Sequence, residues 1–267
     1  MRGRVLIVAG SDSGGGAGIQ ADIKAVTALG GFAMTAITAL TAQNTLGVHG
    51  VVAIDPAFVA RQMAVVLADL GADCIKTGML HDAAVIAAVV DTLAEHAPAV
   101  PLVCDPVMVA KGGHALLLDS AVAALRDRLL PRATVLTPNL PEAEVLLGRP
   151  IAGPAAMEQA AVDLRALGPA AVLLKGGHGE GDEVVDVLAD GEGLHVFRSA
   201  RLDTRHTHGT GCTLASAIAA GIAQGLALRP AVAAARDYVW EAIRRAPGFG
   251  AGHGPLDHGH TMRRRGG

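Results

Sequence analysis

The chain has 267 residues, a formal charge of -3, 51% apolar residues and only 2% aromatic ones. That length suits one large domain with a sizeable core. The charge and the shortage of rings exclude a basic nucleic-acid surface and a base-stacking platform. Cys74, Cys104 and Cys212 are odd in number and widely spaced, which gives neither a disulfide framework nor a zinc pattern. The apolar run near the N-terminus is too short for a signal peptide, and no window has the length of a membrane span. A cytoplasmic protein is the expectation.

In chain order, residues 5–9 are a continuous apolar run, read as a buried strand. GSDSGGGAG at 10–18 is too glycine-rich for regular structure, and a helix is expected to open near Gly18. Residues 34–40 read as one strand and 51–54 as another. Pro56 sits in the first turn of a helix over 56–70. A short strand follows at 74–77, and Asp82 caps a helix reaching His96. The rhythm continues with a strand at 102–105, a helix at 120–129, a strand at 135–137 and a helix at 141–147. Then come a helix at 155–167, a strand at 171–175, an antiparallel hairpin from 184–188 and 194–197, an alanine-rich helix after 206–211, and a last helix at 230–244. This alternation predicts an α/β fold with a mainly parallel sheet. In such sheets ligands gather beyond the carboxyl ends of the strands, where Gly10, Asp12, Gly78, Asp105, Asn139 and Gly176 fall. Residues 1–258 read as one domain and 259–267 as a flexible tail.

HGTGCT at 208–213 places glycines before the alanine-rich helix. Free N–H groups at a helix start can hold an anion, so the segment reads as a phosphate cradle or as an ordinary glycine turn. It lacks the GK[ST] ending of a Walker A loop. Cys212 falls in the first helical turn, where the helix terminus is expected to lower a thiol pKa; a small buried cysteine is the alternative. The first glycine loop does not fit G-x-G-x-x-G, because residue 19 is Ile. Asp12 and Asp22 could serve that loop or cap the helix after it. Asp105 and Glu142, each after a strand, could share a hydrated magnesium ion or act as turn and cap residues. Asn139 is a turn former or a phosphate donor. The chain has four lysines, and Lys175 at a strand end before Gly176 is a phosphate-contact candidate, with Lys76 and Lys111 as others. The histidines form no H-E-x-x-H site, and no G-x-S-x-G elbow occurs.

Seven segments occur in order: AGSDSGGGAGIQADIK, ITALTAQNTLGV, IKTGML, CDPVM, LTPNLPEAEVLL, VLLKGGH and HGTGCTLASAIAAG. Together they closely resemble the hydroxymethylpyrimidine/phosphomethylpyrimidine kinase family of the ribokinase-like superfamily, over about residues 4–258. The resemblance implies a ribokinase-like three-layer α/β/α sandwich, usually a homodimer. It implies transfer of the ATP γ-phosphate to 4-amino-5-hydroxymethyl-2-methylpyrimidine and then to the monophosphate, giving the diphosphate used for thiamine. By motif, Gly10, Ala17, Asp22, Gln43, Met79 and Val107 are carried over to the pyrimidine side. Gln43 would read the ring nitrogen and amino group, with Met79 and Val107 as apolar walls. Asn139, Lys175, Thr207 and Thr210 fall on the ATP side, Asp105 and Glu142 on magnesium, and Gly209 and Gly211 in the anion loop. Cys212 stands where most sugar kinases of the superfamily carry an aspartate base, and is implied to take the proton of the hydroxymethyl group. The loops at 10–18 and 106–114, the second bearing Lys111, are expected to close over the site.

Overall fold

The strand β1 (Arg4–Ala9) alternates its side chains between two cores. Leu6 and Val8 enter one, and Val5, Ile7 and Ala9 enter the other, which is the period of two that a strand buried on both faces requires. The computed structural model describes residues 2–109, 113, 116–177, 179 and 181–262. Parallel pairing joins β1 to β2 (Phe32–Ile37) on one side and to β5 (Cys74–Thr77) on the other. From β5 the sheet continues through β6 (Leu102–Cys104), β7 (Val135–Leu136) and β8 (Val172–Leu174), all parallel. The antiparallel strands β9 (Glu183–Asp190) and β10 (Gly193–Ala200) complete the eight-stranded sheet.

Helices cover both faces. α1 (Gly18–Ala28), α7 (Thr210–Ala223) and α8 (Leu228–Arg244) pack together on one core. α2 (Pro56–Asp69), α3 (Ala83–His96), α4 (Asp119–Ala124), α5 (Leu140–Leu147) and α6 (Pro154–Arg165) lie over the other. The expected α/β sandwich is therefore the observed one.

Two elements differ from the sequence reading. The single strand expected over 34–40 is broken at Thr38. Its N–H donates to Ala9 O at 3.1 Å and its hydroxyl to Met79 O at 2.6 Å, which closes the strand end. The chain then leaves the sheet as β3 (Ala39–Asn44), paired antiparallel with β4 (Gly47–Ala53) in a separate ribbon. The helix expected over 120–129 is α-helical only in α4; residues 125–129 widen into a π-helical turn, and 130–132 tighten into a 3₁₀ turn. Pro131 has no N–H to continue an α-helical ladder, so the register shifts around it.

Residues 260 and 261, expected as part of a flexible tail, pack against the fold. Thr261 donates to Ala28 O at 2.7 Å, and the His260 ring lies 4.8 Å from that of Tyr238. Residues 263–267 lie outside the described residues. Just before this segment His258 is buried, with Nε2 2.9 Å from Thr213 Oγ1 on α7. Burial, with some help from Lys24, pushes its imidazole down to about 4, against an ordinary 6.5. A depressed histidine stabilises the fold above pH 6.5 and loses that contribution as pH falls toward 4. Urea titrations are expected to show a loss on the order of 3 kcal/mol over that window, reduced in His258→Gln.

Candidate active site

The carboxyl ends of β1, β5, β6, β7 and β8 and the N-terminus of α7 meet at one place. The α7 start is shaped by Gly209, whose φ of +80° is left-handed. A Cβ there would sit 1.8 Å from Gly16 O, so only glycine lets the two loops touch. The N–H groups of Gly211 and Cys212 belong to the first turn and have no intrahelical acceptor, which leaves them for an anion. Thr207, Gly209, Thr210 and Gly211 are all partly exposed, as is Cys212, whose thiol nevertheless faces inward, toward the buried Lys76 and Asp22. The Thr210 hydroxyl donates back to Thr207 O, which fixes the turn.

Lys175 reaches this turn from the end of β8. Its Nζ donates to Asp105 Oδ1 at 3.0 Å, and a Cβ on Gly211 would lie 3.2 Å from it. Asn139 and Glu142 form a reciprocal cap on α5: Asn139 Oδ1 accepts from the Glu142 N–H and Glu142 Oε2 from the Asn139 N–H, both at 2.9 Å. Asn139 thus has only its amide nitrogen to offer a phosphate. Among the described residues no three His, Cys, Asp or Glu side chains form a metal cage. Asp105 and Glu142 are nevertheless both buried. Burial pushes the Glu142 carboxyl up to about 7, with Lys175 opposing and Asp105 adding to the shift. Two hard oxygen donors, with Lys175 beside them, fit a magnesium ion that keeps most of its waters.

On the other side lies an apolar wall of Ala39, Met79 and Leu116, with Val107 packed against it. Gly10 is buried there, and a Cβ on it would stand 2.9 Å from Met79 Sδ. The 10–18 loop folds around Asp12, whose carboxylate accepts from the N–H groups of Gly14, Gly16 and Ala17 at 2.8–3.0 Å. Gln43, at the end of β3, is half-buried and faces the same loops.

Residues 12–257 match the model of the phosphomethylpyrimidine kinase family. The chain belongs to that family. A hydroxymethylpyrimidine/phosphomethylpyrimidine kinase of Streptomyces coelicolor is 50% identical, over 97% of this chain and 95% of its own length. A thiamine biosynthesis bifunctional protein, ThiED, of Geobacter sulfurreducens is 52% identical over 96% of this chain, which spans only 52% of that relative. The structure of the Staphylococcus aureus pyridoxal kinase with AMP-PCP and pyridoxal superposes with a TM-score of 0.89 at 32% identity, over 98% of this chain and 96% of that one.

Within this phosphomethylpyrimidine kinase fold, two sequence expectations are corrected. Asp22 neither lines the open site nor caps a helix. It is fully buried inside α1, with both carboxylate oxygens within 3.0 Å of Lys76 Nζ and one accepting from Ser216 Oγ at 2.7 Å. Cys212 does not have a lowered pKa. Burial pushes its thiol up to about 12; Lys76 opposes this, and the carboxylates of Asp22 and Asp105 reinforce it. Removal from water therefore outweighs the helix terminus. Lys111 lies outside the described residues. Of the other expected residues, Gly10, Met79 and Val107 lie at the apolar wall and Ala17 and Gln43 at the 10–18 loop, while Asp105, Asn139, Glu142 and Lys175 stand at or just after the ends of β6, β7 and β8, and Thr207, Gly209, Thr210 and Gly211 at the start of α7. His208 was missed as a site residue. It is buried, with Nε2 2.9 Å from Asp12 Oδ2, and it ties the anion loop to the first loop. No local signal in the sequence marks that contact.

Proposed function

We propose that the chain is an ATP-dependent kinase that phosphorylates 4-amino-5-hydroxymethyl-2-methylpyrimidine and then its monophosphate, within thiamine biosynthesis. The observation that carries the reading is the Asp105–Lys175 pair set against the open first turn of α7, opposite the apolar wall. A flat heterocycle would lie against Met79 and Val107, with Gln43 at its polar edge. Its hydroxymethyl group would then point toward Cys212. The anion loop and Lys175 would hold the transferring phosphoryl group, because positioning and charge neutralisation supply most of the catalysis in such transfers. Asp105 and Glu142 would hold magnesium, which supplies further neutralisation of phosphate charge when bound. Asn139 would donate to phosphate.

We assign the working form as a cytoplasmic homodimer by the same family resemblance. Among the described residues, no helix is long and apolar enough to cross a membrane. A second reading, pyridoxal phosphorylation, is favoured by the likeness to the Staphylococcus aureus enzyme. Competition separates the two. With ATP and magnesium, equal amounts of the pyrimidine and pyridoxal are offered and the products resolved by mass. The pyrimidine is expected to be consumed first, and a main product of pyridoxal phosphate overturns the reading.

A further inference from the structure

Lys175 stands one residue past the end of β8. The direction of its side chain is set by the two planar peptide units that flank its Cα. The unit before it is tied toward β7, because the Lys175 N–H donates to Pro138 O at 2.8 Å. The unit after it carries the Gly176 N–H. β8 and β9 pair antiparallel as far as Leu174 and Val187, and two more residues of that register would set Gly176 against Val185. The ladder stops short, and the Gly176 N–H donates instead to the side chain of Asp186, to Oδ1 at 2.8 Å. A Cβ on Gly176 would lie 1.9 Å from Val185 O, so only glycine lets the chain press this close to β9.

Asp186 is buried on β9, behind Lys175. Its second oxygen, Oδ2, accepts from Arg236 Nε on α8 at 2.8 Å, and that guanidinium lies 5.5 Å from the centre of the Phe197 ring. A buried ion pair is a poor device for stability alone, because taking both charges out of water offsets their attraction. Here the pair presents an oriented, charged acceptor to one backbone N–H, a bond roughly twice as strong as a neutral one. We propose that Asp186, oriented by Arg236, is a positioning residue for the phosphate side of the site: by holding the Gly176 N–H it fixes the peptide unit that aims Lys175 at Asp105 and the first turn of α7. Lys175 Nζ accordingly lies 3.0 Å from Asp105 Oδ1 and beside Gly211. The inference rests on the reading of Lys175 as a contact of the phosphoryl group that ATP transfers.

Two double variants separate the acceptor from the charges. Asp186→Asn with Arg236→Met keeps an amide oxygen for the Gly176 N–H, and Asp186→Ala with Arg236→Met keeps none. Neither leaves a buried charge unpaired. At saturating pyrimidine, the Asn double is expected to hold kcat/KM for ATP within about threefold of native, the cost of a weaker but retained bond. The Ala double is expected to lose about tenfold or more, since a small misplacement of a positioned group is costly. In both, the Kd of the pyrimidine, measured by calorimetry, is expected to stay within about twofold of native, which a general loosening of the fold would not allow. A native kcat/KM in the Ala double overturns the proposal, and so do equal losses in the two doubles or a parallel weakening of pyrimidine binding. If the native protein forms no ADP from ATP with the pyrimidine present, the reading of Lys175 fails and the inference with it. Independently of any variant, the Gly176 amide of the native protein is expected to exchange with solvent about 100-fold or more slowly than a free amide. An unprotected Gly176 amide overturns the proposal.

Discussion

Cys212→Ala is expected to lower turnover of the hydroxymethylpyrimidine by about 10²–10⁴-fold, the usual contribution of a positioned proton acceptor. Turnover of the monophosphate should fall by less than about tenfold. In the first reaction an alcohol oxygen attacks and must lose a proton. In the second the attacking oxygen belongs to a phosphate monoester that is already anionic. The thiol is held at about 12, so it rests protonated and must lose its own proton before it can take another. Lys76 favours that loss, while Asp22 and Asp105 oppose it. Below about 12 the thiolate fraction grows tenfold per pH unit, so the first step is expected to accelerate with pH in the native protein and to lose that slope in the variant. Separate rate measurements on the two substrates decide the matter; equal losses would contradict the role given to Cys212.

Asp22→Ala is expected to destabilise the protein by about 3–5 kcal/mol, the cost of leaving a buried charge without its partner. Lys76 and Asp22 are both wholly inaccessible, and Lys76 Nζ lies within 3.0 Å of both oxygens of Asp22. Burial penalises both charges, so each is tolerable only because of the other. For a chain of this size the loss corresponds to about a 10 °C fall in Tm. The double variant Asp22→Ala with Lys76→Met removes both charges and is expected to recover a large part of it. Thermal melts of the native protein, the two single variants and the double variant check this. A double variant no more stable than Asp22→Ala would mean that packing, rather than unpaired charge, sets the cost. The pair also lies beside Cys212 and Ser216 on α7, so its loss should disturb the first phosphorylation as well.

Most of the architecture is legible in the sequence because its causes are local. The apolar run of β1, the prolines opening α2 and α5, and the Asp82 cap of α3 each act within a few residues of themselves. The break at Thr38 is not legible, because its cause is a carbonyl at Met79, 41 positions away. The same separation hides the partners of Asp22 and Asp12. Lys76 lies 54 positions from Asp22, and His208 lies 196 positions from Asp12. The residues that converge on the site are legible as glycines and acids at strand ends, where topology alone brings them together. The state of the Cys212 thiol is not. Helix position can be read from a sequence, but the depth of burial and the nearby carboxylates that outweigh it cannot.

One measurement tests the central claim most directly. The purified protein is given 4-amino-5-hydroxymethyl-2-methylpyrimidine as sole acceptor, with ATP and magnesium, and the products are followed in time by mass. One site performing both transfers predicts that the monophosphate rises, then falls as the diphosphate accumulates, with two ADP formed per pyrimidine consumed. A monophosphate that persists while ATP remains, or no ADP dependent on the pyrimidine, contradicts it.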